Sequence, residues 1–398
     1  MEQHIQHLYE MLSQVEGYIY PNEIDLYWGF LIVIYPYVTG LVAGAFILAS
    51  LERVFNVKVL RPTYEIALLT ALSFLIVAAL PLVSHLTQPQ RAIEIMITPH
   101  FTSAMAIFGF VYLWYLMVVL LLEIWFDYRH SMVVWSREKK GIMKWVYTIL
   151  TLGVTDLSPK TLKWDRKLGY FVTVVGIPSA FLLHGYVGFI FGSIKANPWW
   201  STVLMPVIFI FSAMVSGIAL VMLIYMAVSY FRKVKIDMKA LDAIARYLFF
   251  VIILDFALEA LDQIHRIYEA EESFEILSML VQGKLYITLV VMQVIIGTLI
   301  PLFTLGTLQL YKPKEKIRKV LYLLVSIMVL VGIFFMRWNV VIGGQMFSKS
   351  FLGFTSFKLG LVGTEGFLMG LFWLLIPFAI LAFILWLLPP WKKVEEVD

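Results

Sequence analysis

Nine stretches of this chain are each long and apolar enough to cross a bilayer, and no other feature limits the fold as much. A hydrocarbon core about 30 Å thick takes roughly 20 helical residues. Stretches that meet this run over 27–51, 65–86, 101–125, 169–193, 202–230, 245–265, 282–309, 318–337 and 366–388. Lipid offers no hydrogen bonds to the backbone, so each stretch must close its own as a helix. The expected fold is all-α, a polytopic membrane bundle of about nine helices, with eight to ten compatible with the pattern. It divides into a surface segment over 1–26, the bundle over 27–388 and a tail over 389–398. Composition agrees: of 398 residues 61% are hydrophobic and only 15% charged, against about 25% charged in a soluble domain. There is too little polar surface to face water on all sides.

Lysine and arginine set the orientation. The loops alternate between basic and bare across all nine crossings, with 24 basic residues on one side and 7 on the other. The N-terminus is therefore predicted outside and the C-terminus in the cytoplasm, which places the chain in a cytoplasmic (inner) membrane. A shorter apolar stretch, Trp145–Val154, lies between Lys144 and Asp156. It is too short to span and reads as an interfacial helix; a crossing there would also invert the charge alternation. Residues 1–20 read as an amphipathic helix on the outer surface. Acidic residues and histidines stand where a signal peptide would be basic, so the first apolar stretch is expected to be a retained helix.

The chain has no cysteine. It therefore ligates no iron–sulfur cluster of its own and forms no disulfide. No metal site or nucleic-acid partner is expected, and redox chemistry would need a partner subunit or a non-covalent cofactor.

Ionisable residues inside a span are costly and mark candidate function. Asp255, Glu259 and Asp262 fall at i, i+4 and i+7 of the sixth span, on one stripe of a helix in its outer half. Three carboxylates so placed repel unless some are protonated or paired. They are candidates for proton transfer, the alternative being a structural ion-pair cluster with Arg266 or Arg337. His184 lies deep in the fourth span, again toward the outer half, while His85 and His100 flank the second outer loop. In the first span Tyr35-Pro36-Tyr37 predicts a kink, and Gly40 and Gly44 allow another helix to pack closely. Arg337 and Asn339 head a run ending in Gly343-Gly344-Gln345 at the outer end of the eighth span, and look more like a polar lining than an anchor. The inner halves read as comparatively bare, with Glu65, Glu123 and Asp127 near the cytoplasmic rim. What remains is a polar pocket open toward the outer face, its functional side facing the periplasm or cell exterior. Aromatic walls, a histidine and carboxylates suit a quinol, whose oxidation releases two protons that such groups can accept.

The run Tyr35-Pro-Tyr-Val-Thr-Gly-Leu-Val-Ala-Gly-Ala-Phe46 resembles the first helix of polysulfide-reductase-type membrane subunits, the NrfD/PsrC family. So do Leu183-His184 with Phe189-Ile-Phe191, Asn197-Pro-Trp-Trp200, Ser216-Gly-Ile-Ala219 and Arg337-Trp-Asn-Val-Val-Ile-Gly-Gly-Gln345, in that order along the chain. The branch is similar to the membrane subunits of uptake hydrogenases and of the sulfite-reductase-associated complex. The resemblance implies a membrane anchor that exchanges electrons between the quinone pool, menaquinone or ubiquinone, and an extracytoplasmic four-cluster-type iron–sulfur subunit. A separate redox subunit would carry out catalysis. It further implies no haem, and a quinone site near the outer side. Tyr35, Tyr37, His100, His184, Arg337 and Asn339 are the quinone-binding candidates; Asp255, Glu259, Asp262 and His184 are those for proton transfer.

Three rival readings use the same residues. A haem-b cytochrome would need two facing imidazoles, for which His184 could pair with His100. A proton-coupled transporter would show inverted repeats, and no convincing repeat is present. A proton-conducting subunit that binds no quinone fits the carboxylate stripe equally well.

Overall fold

A computed structural model describes residues 9, 12–13, 15–98, 100–269 and 273–394. The helices are α1 (Phe30–Arg53), α2 (Lys58–His85), α3 (Ala106–Glu138), α4 (Ile142–Leu150), α5 (Pro159–Gly192), α6 (Met205–Phe231), α7 (Met238–Glu269), α8 (Phe274–Gln282), α9 (Tyr286–Leu310), α10 (Glu315–Met346) and α11 (Phe367–Leu387). Among the described residues, eight of these are long and apolar enough to cross a membrane. The ninth long helix, α7, has 32 residues and packs against α6 and α9. Its Asp255, Glu259 and Asp262 keep its composition outside the apolar set. The bundle thus has eight apolar helices and α7, whose span holds a stripe of three carboxylates.

α1 is the hub. Every residue from Phe30 through Ser50 is buried, because α2, α5, α6, α10 and α11 surround it. Glycine makes the tightest of these contacts possible. A Cβ on Gly44 would fall 2.1 Å from the Ala213 carbonyl oxygen, and one on Gly217 would fall 2.4 Å from the Gly44 Cα. The small-residue spacing in the first span thus acts as expected, as the seat of α6.

α9 departs from a regular helix. Tyr286–Leu299 is wound as a π-helix, and Ile300–Leu310 continues as α-helix. Pro301 stands at the junction, where it lacks an N–H and its ring crowds the carbonyl one turn back. The π-helical half packs on α10, with Gly297 against Gly332 at their crossing. The α-helical half packs on α7.

One end of the bundle carries a small antiparallel sheet. β1 (Glu16–Tyr18) pairs with β2 (Leu352–Phe354), Glu16 opposite Phe354 and Tyr18 opposite Leu352. Gly17 adopts φ +75°, and a Cβ there would meet the Leu352 carbonyl oxygen at 2.2 Å. Of the surface helix expected over 1–20, residues 1–8, 10, 11 and 14 lie outside the described residues, and 16–18 are strand rather than helix. The strand forms because the chain between α10 and α11 returns alongside it, a partner that no local pattern announces.

The opposite, basic end differs from expectation in two ways. α3 and α5 extend well past the apolar windows 101–125 and 169–193, since polar residues beyond those windows find partners between the helices. Arg129, fully buried, pairs with Asp165 and donates to the Asp156 carbonyl at 2.7 Å. Nor is this half bare. Tyr64 Oη lies 2.7 Å from Asp127 Oδ2 and 3.2 Å from Glu123 Oε1, Thr173 donates to Glu123 at 2.7 Å, and Arg53 pairs with Asp127. Glu123 is fully buried rather than at the rim. The stretch expected at the interface forms a short helix, α4, of nine residues, with Ile142, Trp145 and Ile149 exposed.

Candidate functional site

Toward the sheet end, α5, α6, α7, α9 and α10 bring together the residues singled out by sequence. α10 contributes Arg337, which is fully buried and does not reach for a membrane boundary. One guanidinium nitrogen lies 3.0 Å from His184 Nε2 of α5 and donates to Ser212 Oγ of α6 at 2.6 Å; another donates to the Met336 sulfur at 3.0 Å. The guanidinium also sits 4.0 Å from the centre of the Phe209 ring, on which His184 stacks. Arginine can only donate, so His184 must accept through Nε2 and carry its proton on Nδ1. That Nδ1 is buried without a partner. A Cβ on Gly40 would stand 3.1 Å from the imidazole, so the glycine makes room for the ring.

The carboxylate stripe of α7 divides by role. Asp262 accepts from Thr202 at 2.6 Å and pairs with Arg266 at 3.0 Å. Arg266 in turn donates to the carbonyls of Pro198 and Trp199. This is the structural ion pair of the plainer reading, and it ties the α5–α6 loop to α7. Asp255 is buried with Oδ1 unpartnered. Glu259 accepts from Gln293 Nε2 at 3.2 and 3.3 Å, and Gln293 Oε1 accepts from Asn339 Nδ2 at 2.8 Å. An amide thus bridges a carboxylate on α7 to an amide on α10, while Asn339 Oδ1 stays buried and unpartnered. The charge of Arg337 is felt at both Asp255 and Glu259.

A cavity of about 300 Å³ lies beside this bridge. Its walls include Trp199, Ile208, Phe256 and Met336, and its polar groups are Glu259, Asp262, Gln263, Gln293 and Asn339. The Asn197–Trp200 loop braces one side: Trp199 donates to the Asn339 carbonyl at 3.0 Å, Trp200 to Val340 at 2.6 Å and Asn197 to Gly344 at 2.6 Å. Two motifs far apart in sequence are thereby locked together.

Not every candidate reaches the cavity. Tyr37 donates to the Leu330 carbonyl at 3.1 Å, and Tyr35 sets its ring edge-on to Phe108 with its hydroxyl buried and unpartnered. Neither lines the cavity, nor do His184, Arg337 and Asp255. His100 is exposed in the α2–α3 loop, and the structure does not pair it with His184. His85 lies 2.6 Å from Glu365, whose other oxygen accepts the Leu31 N–H at the start of α1. Sequence reasoning passed over Gln293, Ser212 and Phe209, and gave Trp199 only as part of the Asn197–Trp200 motif. Gln293 could have been found by asking about buried amides as well as ionisable groups, since an amide within an apolar span also needs a partner.

The sequence model of the family described as polysulphide reductase, NrfD, matches residues 21–349. The chain is 34% identical over 203 residues to a protein of Mesobacillus selenatarsenatis named as a selenate reductase subunit, an overlap covering 50% of this chain and 47% of the other. It is 31% identical over 214 residues to the protein NrfD of Escherichia coli, covering 51% and 61%. To a protein of Halobacterium salinarum named as a dimethyl sulfoxide reductase membrane subunit it is 27% identical over 229 residues, covering 56% and 48%. The chain spans about half the length of these relatives.

Proposed function

Since this chain belongs to the polysulphide reductase NrfD family and is a multi-pass membrane protein, we propose that it is the quinone-interacting membrane subunit of a redox complex. In this reading it passes electrons between a membrane quinone and an extracytoplasmic iron–sulfur subunit, with catalysis in a further subunit. Relatives named as subunits of selenate and dimethyl sulfoxide reductases support the partnership. The unbroken alternation of basic and bare loops supports placing the sheet end outside and the basic end in the cytoplasm.

One observation carries the quinone reading: the apolar-walled cavity of about 300 Å³ is lined by Glu259, Gln293 and Asn339, and Asn339 Oδ1 is buried without a partner. Buried polar atoms are nearly always satisfied, so Asn339 Oδ1 at the cavity wall is a place for a ligand's hydrogen-bond donor, while Asp255 and His184 stand outside the lining, as candidates for passing a proton on. The residues fit a quinone head. Phe256 and Trp199 offer flat apolar surface, and Asn339 and Gln293 offer amide groups to ring oxygens. A bound quinol supplies two electrons and two protons. On the protein side, Glu259 stands at the cavity wall as proton acceptor, and Asp255 lies one helical turn behind it. Arg337 tempers the repulsion between these carboxylates and fixes the tautomer of His184.

The test uses the assembled complex. His184→Ala and Asp255→Asn are expected to lower quinol-driven electron transfer by about 10²-fold or more, with the partner subunits still copurifying. Normal turnover in both variants would remove these residues from the site.

A further inference from the structure

The cavity has a side opening. α7 meets α9 along Ile300–Leu310, toward the basic end, while Tyr286–Leu299 of α9 packs on α10 instead. The two helices part toward the sheet end, and the cavity occupies the gap. Phe256, Ala260 and Gln263 line it from α7; Leu289, Gln293 and Val294 line it from α9. The two helices also expose apolar side chains, Leu254, Leu261 and Ile264 on α7 and Ile287 and Ile295 on α9. On a membrane helix such surface faces lipid. The Glu259–Gln293 hydrogen bond crosses the gap.

Size gives the gap a purpose. At about 300 Å³ the cavity lies at the small end of ligand pockets, which run from roughly 300 to 1,000 Å³. It can take a ring system but not a chain of several isoprene units. We propose that the gap between α7 and the π-helical half of α9 is a lateral portal through which the isoprenoid tail of a quinone extends into the bilayer, latched by Glu259 and Gln293. The proposal rests on the quinone reading above. π-helical turns in an otherwise α-helical span recur at functional positions, and here they make up the half of α9 that borders the gap. Gly297 on Gly332 supplies a close, side-chain-free pivot for that half.

The experiment uses the full chain in lipid nanodiscs and reads quenching of tryptophan fluorescence, Trp199 being in the cavity wall. Two probes are compared: 2,3-dimethyl-1,4-naphthoquinone, and a menaquinone with the same ring and a four-unit isoprenoid tail. Ala260→Phe and Val294→Phe, which crowd the portal side of the cavity and add no tryptophan, are expected to slow association of the tailed probe about tenfold more than that of the tail-less one. Gln293→Leu, which opens the latch, should speed the tailed probe several-fold. Leu254→Phe, on the lipid-facing surface, should alter neither. If the portal variants slow both probes equally, or neither, the portal is overturned while the quinone reading stands. If neither probe quenches the unmodified protein, the quinone reading fails and the portal with it.

Discussion

Two clusters of ionisable residues, largely buried, lie toward opposite ends of the bundle, and they are built differently. At the basic end charge meets opposite charge: Arg53 with Asp127, Arg129 with Asp165, Lys393 with Glu65. Toward the sheet end Asp262 has its Arg266, but the buried cation Arg337 meets an imidazole, a hydroxyl and a thioether. The neighbouring Asp255 keeps an oxygen without a partner, and a cavity lies alongside. Desolvated charge is tolerable when paired and hydrogen-bonded, so the first cluster serves as architecture. The second combines unpartnered polar atoms with a cavity, the combination in which a bound ligand or a moving proton has room. Glu123 is the mixed case, bonded through one oxygen to Tyr64 and Thr173 and unpartnered at the other.

Substitutions can break this contrast. The largest effect is expected from Asp127→Leu, which strands the Arg53 guanidinium. Breaking a buried pair costs about 3–5 kcal/mol, so the folded yield and the melting temperature should fall sharply. Adding Arg53→Leu should recover much of the loss, because two apolar side chains leave no orphaned charge. A single variant as stable as the parent would remove the architectural role. Glu259→Gln comes next, with the opposite signature. It keeps a hydrogen-bonding group facing Gln293 but accepts no proton, so turnover should drop by about tenfold to a hundredfold with the melting temperature held. Should melting shift instead of turnover, the carboxylate belongs with the architecture.

The smallest effect is expected at Lys393. Burial disfavours its ammonium, yet Asp127 and Glu65 outweigh this and hold its pKa above the ordinary value. A raised lysine contributes stability that is fully present below its ordinary pKa and fades only at more alkaline pH. Lys393→Met should therefore cost about 0.5–1 kcal/mol, equally at about pH 6 and pH 8, with turnover unchanged. A cost that differs between those two pH values would show that a different group is titrating.

The membrane helices were legible because lipid imposes one rule on every span, and that rule is written in local composition. The stripe of Asp255, Glu259 and Asp262 was legible for the same kind of reason, since helical periodicity places those residues on one face before any neighbour is known. Their division of labour was not. Asp262 turned out to be a brace because Thr202 and Arg266 reach it, and Glu259 faces the cavity because Gln293 does. His100 was chosen on type and depth, and depth failed because a loop residue has no periodicity to place it. Tyr35 and Tyr37 sit on the predicted helix, but their hydroxyls go elsewhere.

The sequence by itself determined what depends on a residue and its near neighbours: the apolar spans, the glycine seat in α1, the short helix α4, and the carboxylate stripe on one face of α7. Tertiary structure alone decided what depends on meetings between distant segments. It joined β1 to β2, closed the network around Tyr64 and Glu123, and set Arg337 against His184 across 153 positions of chain. Hydrophobicity is summed along a helix, whereas a hydrogen bond or a cavity needs partners whose approach is set by how the whole bundle packs.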